Sequence, residues 1–382
     1  MYVDEITIII CLALFFLSVI SLLTNPFFRK PKTVQNNDID SNNISLPRIS
    51  VLILAEDNQE GLHQTLSAVV AQDYQQDFEI IVVIEHGDLV AENVINTCAQ
   101  GRKIYTTFVP KKSLFMSKEK LAVSLAVKAA HNEWIALLQS GCVPQSNKWL
   151  ATLARNCHDE KVSIVTGYCN YSTDAPAYFR FQQLRSALYL MYRAQHKSAY
   201  SANGYNILFR KSVFIGDDGY RGNLQYRYGV CDFIVNKYAR KGNTVPELSQ
   251  DACVREKFIK KNWYNKNFQY LHFRKRLAGR LSMRFSYHLD LSMMYLNYAI
   301  NCAAIIYSSL AMNMLLLSVS IFILVMTIVF RIIMAAKVFA CFGEPMQKYK
   351  IIPFELVLSL YDMILKLKYL KSDKNDFITH KL

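Results

Sequence analysis

Apolar residues are distributed in two ways along this chain: long uninterrupted runs near its ends, and short runs alternating with amphipathic stretches between them. Residues Ile6 to Thr24 form an uncharged run of nineteen, enough to cross a bilayer as a helix. A second run, from Met293 to Met334, carries no charge before Arg331 and is long enough for two crossings with a turn near Ser308 to Asn313. The alternative for that pair is two buried or re-entrant helices.

The middle of the chain has shorter periods. Pro31 to Leu46 is rich in Asn, Asp and Ser without periodicity and reads as a linker. Ile49 to Leu54 predicts a strand, and Gly61 to Ala71 predicts a helix, with Leu62, Leu66 and Val69 at helical spacing. Phe78 to Ile84, apolar apart from Glu79, predicts a strand buried on both faces, so the three form a βαβ unit. Further on, a helix over Glu119 to Ala130 stops at His131-Asn132. A strand over Trp134 to Leu138 then ends in a polar turn, and a new helix opens near Ser146 and runs to about His158. A strand over Val162 to Tyr168, a helix over Phe179 to Lys197, an Asp217-Asp218-Gly219 turn and a helix from Phe233 follow. Ile351 to Leu370 is apolar at helical spacing with Lys366, Lys368 and Lys371 toward its end, the pattern of a helix lying on a membrane surface.

A length of 382 residues at 52% hydrophobic fits one large domain plus membrane segments. Asp4 and Glu5 precede the first run and Arg29, Lys30 and Lys32 follow it, which predicts an uncleaved anchor with its N-terminus outside. Arg274 to Arg284 before the second region, and Arg331 and Lys337 after it, put both of its flanks in the cytoplasm by the same rule. The densest basic stretch directly precedes a membrane segment and is interleaved with aromatics. The net charge of +14 therefore reads as attraction to anionic lipid and not to nucleic acid. Nine cysteines without a C-x-x-C pair predict neither a disulfide framework nor a structural zinc.

A strand that ends in a small polar turn is where α/β sheets place ligands, which singles out the turn after Leu138. The order lysine, Ala-rich helix, Glu133-Trp134, apolar strand, small turn, then Cys142, Pro144, Ser146 and Trp149 resembles the family 2 glycosyltransferases, especially membrane-attached bacterial ones. Ser50 to Asp88 follows the opening unit of that family. Asn206, Phe209, Arg210, Lys211, Ser212 and Phe214 match its acceptor-side hairpin, and Asp232 with the helix after it matches its acidic cluster. Gln269, His272 and Phe273 fall at the positions of its Gln-x-x-Arg-Trp element. The resemblance spans about residues 47 to 280. It implies an α/β fold with a GT-A-type doubly wound mixed sheet, tethered by N-terminal and C-terminal transmembrane helices. The implied division is an anchor at 1–30, a linker at 31–46, the GT-A domain at 47–290, two transmembrane helices at 291–334, and a cytoplasmic interfacial helix and tail at 335–382.

In that family an Asp-x-Asp element holds a divalent metal against the diphosphate of a nucleotide sugar. Here the tripeptide is Gln139-Ser140-Gly141, so no divalent metal is expected at that site and no cofactor is assigned. The resemblance puts Ala55, Asp57, Glu85, Lys120, Gln139, Ser140 and Gly141 on the donor nucleotide, Lys120 neutralising phosphate in place of the metal. Asn206, Gln269 and His272 fall on the acceptor or diphosphate side, and Asp232 is the candidate general base. The blander alternatives are turn and cap roles for Asp57 and Glu85, a solvated Lys120, an N-cap role for Asp232, and an interfacial amphipathic helix over the segment containing His272. The implied activity is sugar transfer to a glycan or lipid-linked acceptor in cell-surface polysaccharide synthesis, at the inner (cytoplasmic) membrane with the domain on its cytoplasmic side. The rival is a catalytically silent relative that binds a glycan or supports a partner glycosyltransferase.

Overall fold

Six consecutive residues, Ile49–Leu54, are all buried and form strand β1 in the computed structural model, which describes residues 4–29, 31, 45–55, 58–99, 103–111, 113 and 116–373. A strand hidden on both faces belongs at the centre of a sheet covered by helices on both sides. β1 pairs in parallel with β2 (Phe78–Glu85), which pairs in parallel with β3 (Ile104–Val109). Three helices connect this half of the sheet: α2 (Gln59–Val70), α3 (Leu89–Cys98) and α4 (Lys118–Ala129), numbered after the N-terminal helix α1 (Glu5–Thr24). On its other side β1 pairs in parallel with β4 (Trp134–Gln139), with Leu54 opposite Gln139, so the carboxyl ends of β1 and β4 lie side by side.

The chain then runs through β5 (Cys142–Pro144), α5 (Trp149–Ala154), β6 (Ile164–Thr166), β7 (Cys169–Tyr171), α6 (Ala177–His196), β8 (Ile207–Arg210), α7 (Lys211–Gly216), α8 (Val230–Tyr238), β9 (Thr244–Pro246), β10 (Val254–Glu256) and α9 (Lys260–Phe273). The main sheet has the order β3-β2-β1-β4-β8-β6-β9, with β8 antiparallel to both of its neighbours, and a small second sheet has the order β5-β10-β7. Alternate residues of β1 feed two cores. Ile49, Val51 and Ile53 pack with Leu62, Leu66 and Trp149, while Leu52 and Leu54 pack with Val123, Val127 and Ile234. This is the doubly wound mixed sheet the sequence implied. One local expectation changes: β8 inserts into the main sheet and is followed by α7, not by the return strand of a hairpin. The Asp217-Asp218-Gly219 turn is present, with Asp218 and Gly219 at φ 52° and 54°.

Contacts divide the chain into two compact units, residues 31–280 with 365–382, and residues 1–30 with 281–364. The second unit holds α1, α10 (Arg280–Leu310) and α11 (Met314–Cys341), three helices long and apolar enough to cross a membrane. Polar residues of these helices face inward: Asn297, Asn301 and Ser308 of α10 and Ser320 of α11 are fully buried, and Ser18 and Thr327 share a hydrogen bond of 2.5 Å. Large apolar residues such as Phe15, Phe16, Ile306 and Phe322 are exposed instead. Between helices in lipid, small and polar side chains inside supply the hydrogen bonds that hold a bundle together.

The last helix, α12 (Ile351–Lys371), carries a buried acid in its first half. Glu355 is buried and accepts from Arg331 of α11 at 2.8 Å, while Asn25 donates to its other oxygen at 2.9 Å. Arg331 also donates to the carbonyl and hydroxyl of Ser21, both at 3.0 Å. An acid inside an apolar stretch had its partner on another helix, beyond the reach of a periodicity argument.

Candidate active site

A cleft of about 390 Å³ opens at the carboxyl ends of β1 and β4, walled by the start of α8, by the small sheet and by one face of α9. The turn Gln139-Ser140-Gly141 forms part of its lining. Gly141 has φ +86°, a conformation that favours glycine. Its N–H donates to Thr65 Oγ1 at 3.0 Å and to the Gly61 carbonyl at 3.1 Å, and Ser140 Oγ donates to the Asn58 carbonyl at 3.1 Å. The turn is thus tied to the first turns of α2, where Asn58 caps the helix by accepting from Gly61 N. With the serine hydroxyl engaged, no side chain at Gly141 and only an amide at Gln139, this tripeptide does not fit a hard divalent cation, which wants carboxylate oxygens.

Asp232 lies in the cleft wall, buried, in the first turn of α8. The cap position of that helix belongs to Gly229, at φ +89°, so Asp232 is not the N-cap. Arg274 Nη2 donates to Asp232 Oδ1 at 3.1 Å and the guanidinium lies 3.6 Å from the centre of the Tyr270 ring. Phe273 packs against Gly229 so closely that a Cβ there would stand 2.6 Å from its ring. A side chain at 229 would therefore push α9 away from α8. Gln269 faces the cleft from α9, together with Asn262, Lys266, Tyr270 and Phe273, at spacings that put them on one helical face.

Lys266 donates to Glu256 Oε1 at 2.7 Å. Burial opposes the charge on Lys266, but Glu256, backed by Tyr270 and Tyr171, holds it well above the usual lysine range. Burial pushes the neighbouring Tyr171 phenol up in turn. Both Lys266 and Glu256 line the cleft, as do Glu119 and Lys257.

Lys120, Asn206 and His272, which the resemblance put at the site, do not line the cleft. Lys120 is fully buried, and its ammonium donates to the carbonyl and side-chain oxygens of Asn223, both at 2.7 Å, and to the Tyr226 carbonyl. Its three protons pin the 223–226 loop and are not free for phosphate. Burial pulls this lysine down to about 7. Asn206 is a core staple: it accepts from Trp149 Nε1 at 3.0 Å and donates to the carbonyls of Tyr168 and Ala252 at 2.9 and 2.8 Å. His272 is on the face of α9 away from the cleft, its Nδ1 3.0 Å from the Tyr369 hydroxyl.

Ala55 follows β1, its N–H donating to Val83 O, and is outside the cleft lining. Glu85 ends β2 and pairs at 2.6 Å with Lys118, outside the cleft lining. Asp57 lies outside the described residues. Sequence reasoning missed Glu256, Lys266 and Arg274. The first two are joined by strand pairing and helix docking, and Arg274 belongs to the basic run that read as lipid-facing. The polar face of α9, at four- and three-residue spacing, was the available signal.

No family model matches the sequence, and no curated protein matches it. Among solved structures, it is similar to a mannosyltransferase of Pyrobaculum calidifontis in complex with GDP-Man and Mn2+. The identity is 15%, the match covers 87% of this chain and 96% of that one, and the TM-score is 0.51. Another similar structure is the glucosyl-3-phosphoglycerate synthase of Mycobacterium tuberculosis with Mn2+, uridine diphosphate and glucosyl-3-phosphoglycerate. There the identity is 10%, with 62% and 78% of the two chains covered and a TM-score of 0.40. At 15% identity the likeness to the mannosyltransferase is one of fold: this chain has the mixed α/β fold of the GT-A glycosyltransferases.

Proposed function

We propose that the protein is a membrane-bound glycosyltransferase that moves a sugar from a nucleotide sugar to a hydroxyl of a glycan or lipid-linked acceptor. The observation that carries this reading is the Asp232 carboxylate in the wall of a cleft at the carboxyl edge of a GT-A sheet, with Arg274 holding one of its two oxygens. In the proposed reaction the acceptor oxygen bonds to the anomeric carbon as the bond from that carbon to the diphosphate breaks. Asp232 takes the hydroxyl proton. The fold's metal element does not fit a hard cation here and Lys120 is occupied. The leaving diphosphate is therefore assigned to Lys257, an exposed ammonium of the cleft lining.

Asn58 and the Gln139–Gly141 turn would receive the donor, and Gln269 the acceptor side. The three apolar helices would anchor the protein in the inner membrane, with the basic flanks placing the cleft on the cytoplasmic side, where nucleotide sugars are made. Cell-surface polysaccharide is the corresponding pathway, with another transferase as a natural partner.

Asp232→Asn tests the reading. Product should be lost while nucleotide binding by the purified chain persists, since the base acts on the acceptor and not on the donor. Full glycan output from the variant would remove Asp232 as the base. Absence of nucleotide binding in the wild type would favour a silent, scaffold-like protein.

A further inference from the structure

The small sheet brings together three side chains that are far apart in sequence. Cys142 on β5 stands opposite Glu256 on β10, and Cys169 lies on β7, which pairs with the other edge of β10. The two sulfurs and a Glu256 carboxylate oxygen all lie within 4.8 Å of one another. Both cysteines are buried, while Cys142 and Glu256 also line the cleft. The set is thus closed on the protein side and open toward the cleft.

We infer that Cys142, Cys169 and Glu256 form a site for one thiophilic divalent cation of the zinc class, its fourth position facing the cleft. Three protein ligands and one open position are the arrangement of zinc sites that take water or a substrate oxygen. Two sulfurs select against magnesium and manganese, so the site is chemically distinct from the hard-cation element that Gln139-Ser140-Gly141 fails to provide. Charge supports it as well. Two thiolates and a carboxylate leave one negative charge against a dication, and the Lys266 ammonium, 2.7 Å from Glu256, neutralises it. A cation in contact with a ligand carboxylate also fixes its orientation, as the partners of metal ligands do. The inference rests on these side chains and does not depend on sugar transfer.

Cobalt(II) titration of the full-length chain in detergent, after chelator treatment and under a thiol reductant, tests it. One equivalent should produce a thiolate-to-cobalt charge-transfer band in the near ultraviolet, release two protons as the buried thiols ionise, and be displaced by zinc. Cys142→Ser and Cys169→Ser should each abolish the band, and Lys266→Met should weaken affinity by about 10- to 100-fold. Cys302→Ser, which removes an exposed cysteine, should leave the band intact. If the serine variants fail to fold, the band and the proton count of the wild type, read against Lys266→Met, still decide. No band, no proton release, a band that survives Cys142→Ser, or one lost with Cys302→Ser would each overturn the site.

Discussion

Replacing Asn206 by alanine separates a structural staple from a substrate contact. The resemblance put this side chain beside the acceptor. In the fold it is nearly inaccessible, with its amide bridging the Trp149 indole, the Tyr168 carbonyl and the Ala252 carbonyl at 2.8 to 3.0 Å. Alanine leaves the buried Trp149 indole N–H and the Ala252 carbonyl without this partner, while the Tyr168 carbonyl still accepts from Val254 N–H at 3.0 Å. At about 1 to 3 kcal/mol for each of these two groups, and with partial relaxation, the loss comes to about 2 to 4 kcal/mol. That is a large part of the roughly 5 to 15 kcal/mol by which domains are stable. For a unit of this size it corresponds to a fall in melting temperature on the order of 5 to 15 °C.

Thermal unfolding of the detergent-solubilised chain, followed by circular dichroism, reads it directly. Asn206→Asp sharpens the test, because the carboxylate can still accept from Trp149 but faces two carbonyl oxygens, so it should rescue little. A variant that melts with the wild type yet loses product would refute the reasoning and return Asn206 to the site.

Lys120→Met should leave nucleotide affinity unchanged while hydrogen exchange accelerates at residues 223–226; lost affinity with native exchange would restore the phosphate role. The folded pKa of Lys120, about 7, lies below the unfolded lysine value of 10.5, so the unfolded state binds the proton more tightly between them. Wild-type stability relative to Lys120→Met should therefore rise with pH from about 7 toward 10.5 and be lowest below 7, and a pH-independent difference would count against it. Titration calorimetry should find that added manganese does not strengthen nucleotide binding, and a large gain would mean that carboxylates outside Gln139–Gly141 hold the ion. Glu355→Ala strands the buried Arg331 charge and should cost about 3 to 5 kcal/mol of bundle stability. Arg331→Leu with Glu355→Leu should recover most of it, and equal melting of single and double variants would contradict the buried pair.

The fold was legible because its determinants are local. β1, β2 and β4 are short apolar runs with stop signals at each end, and α2 and α4 carry their apolar residues at helical spacing, so periodicity alone finds these five elements, though not α3, β3 or the strand order. The reversal of β8 was not legible, since a four-residue strand that inserts between β4 and β6 is chosen by tertiary pairing and not by its own composition.

Of the candidate site, the sequence indicated which element ends meet at the cleft better than which side chains line it. The turn after β4 and Asp232 both line the cleft, because a motif match fixes where an element's end falls on the sheet. Which way a side chain points from that element depends on what the element packs against. Lys120, in the first turn of α4, has a stem long enough to reach an ammonium into either the cleft or the interior. The 223–226 loop supplies three acceptors inside, which makes the interior the lower-energy choice. On α9, Gln269 and His272 are three residues apart, and a helix turns 300° over that interval, so a seam along one edge suffices to put Gln269 in the cleft and His272 against Tyr369. Arg274 stands beside Asp232 because the chain leaves α9 at Phe273 and the next guanidinium reaches back over Tyr270. Only the docking of α9 on α8 across Gly229 brings this guanidinium to Asp232.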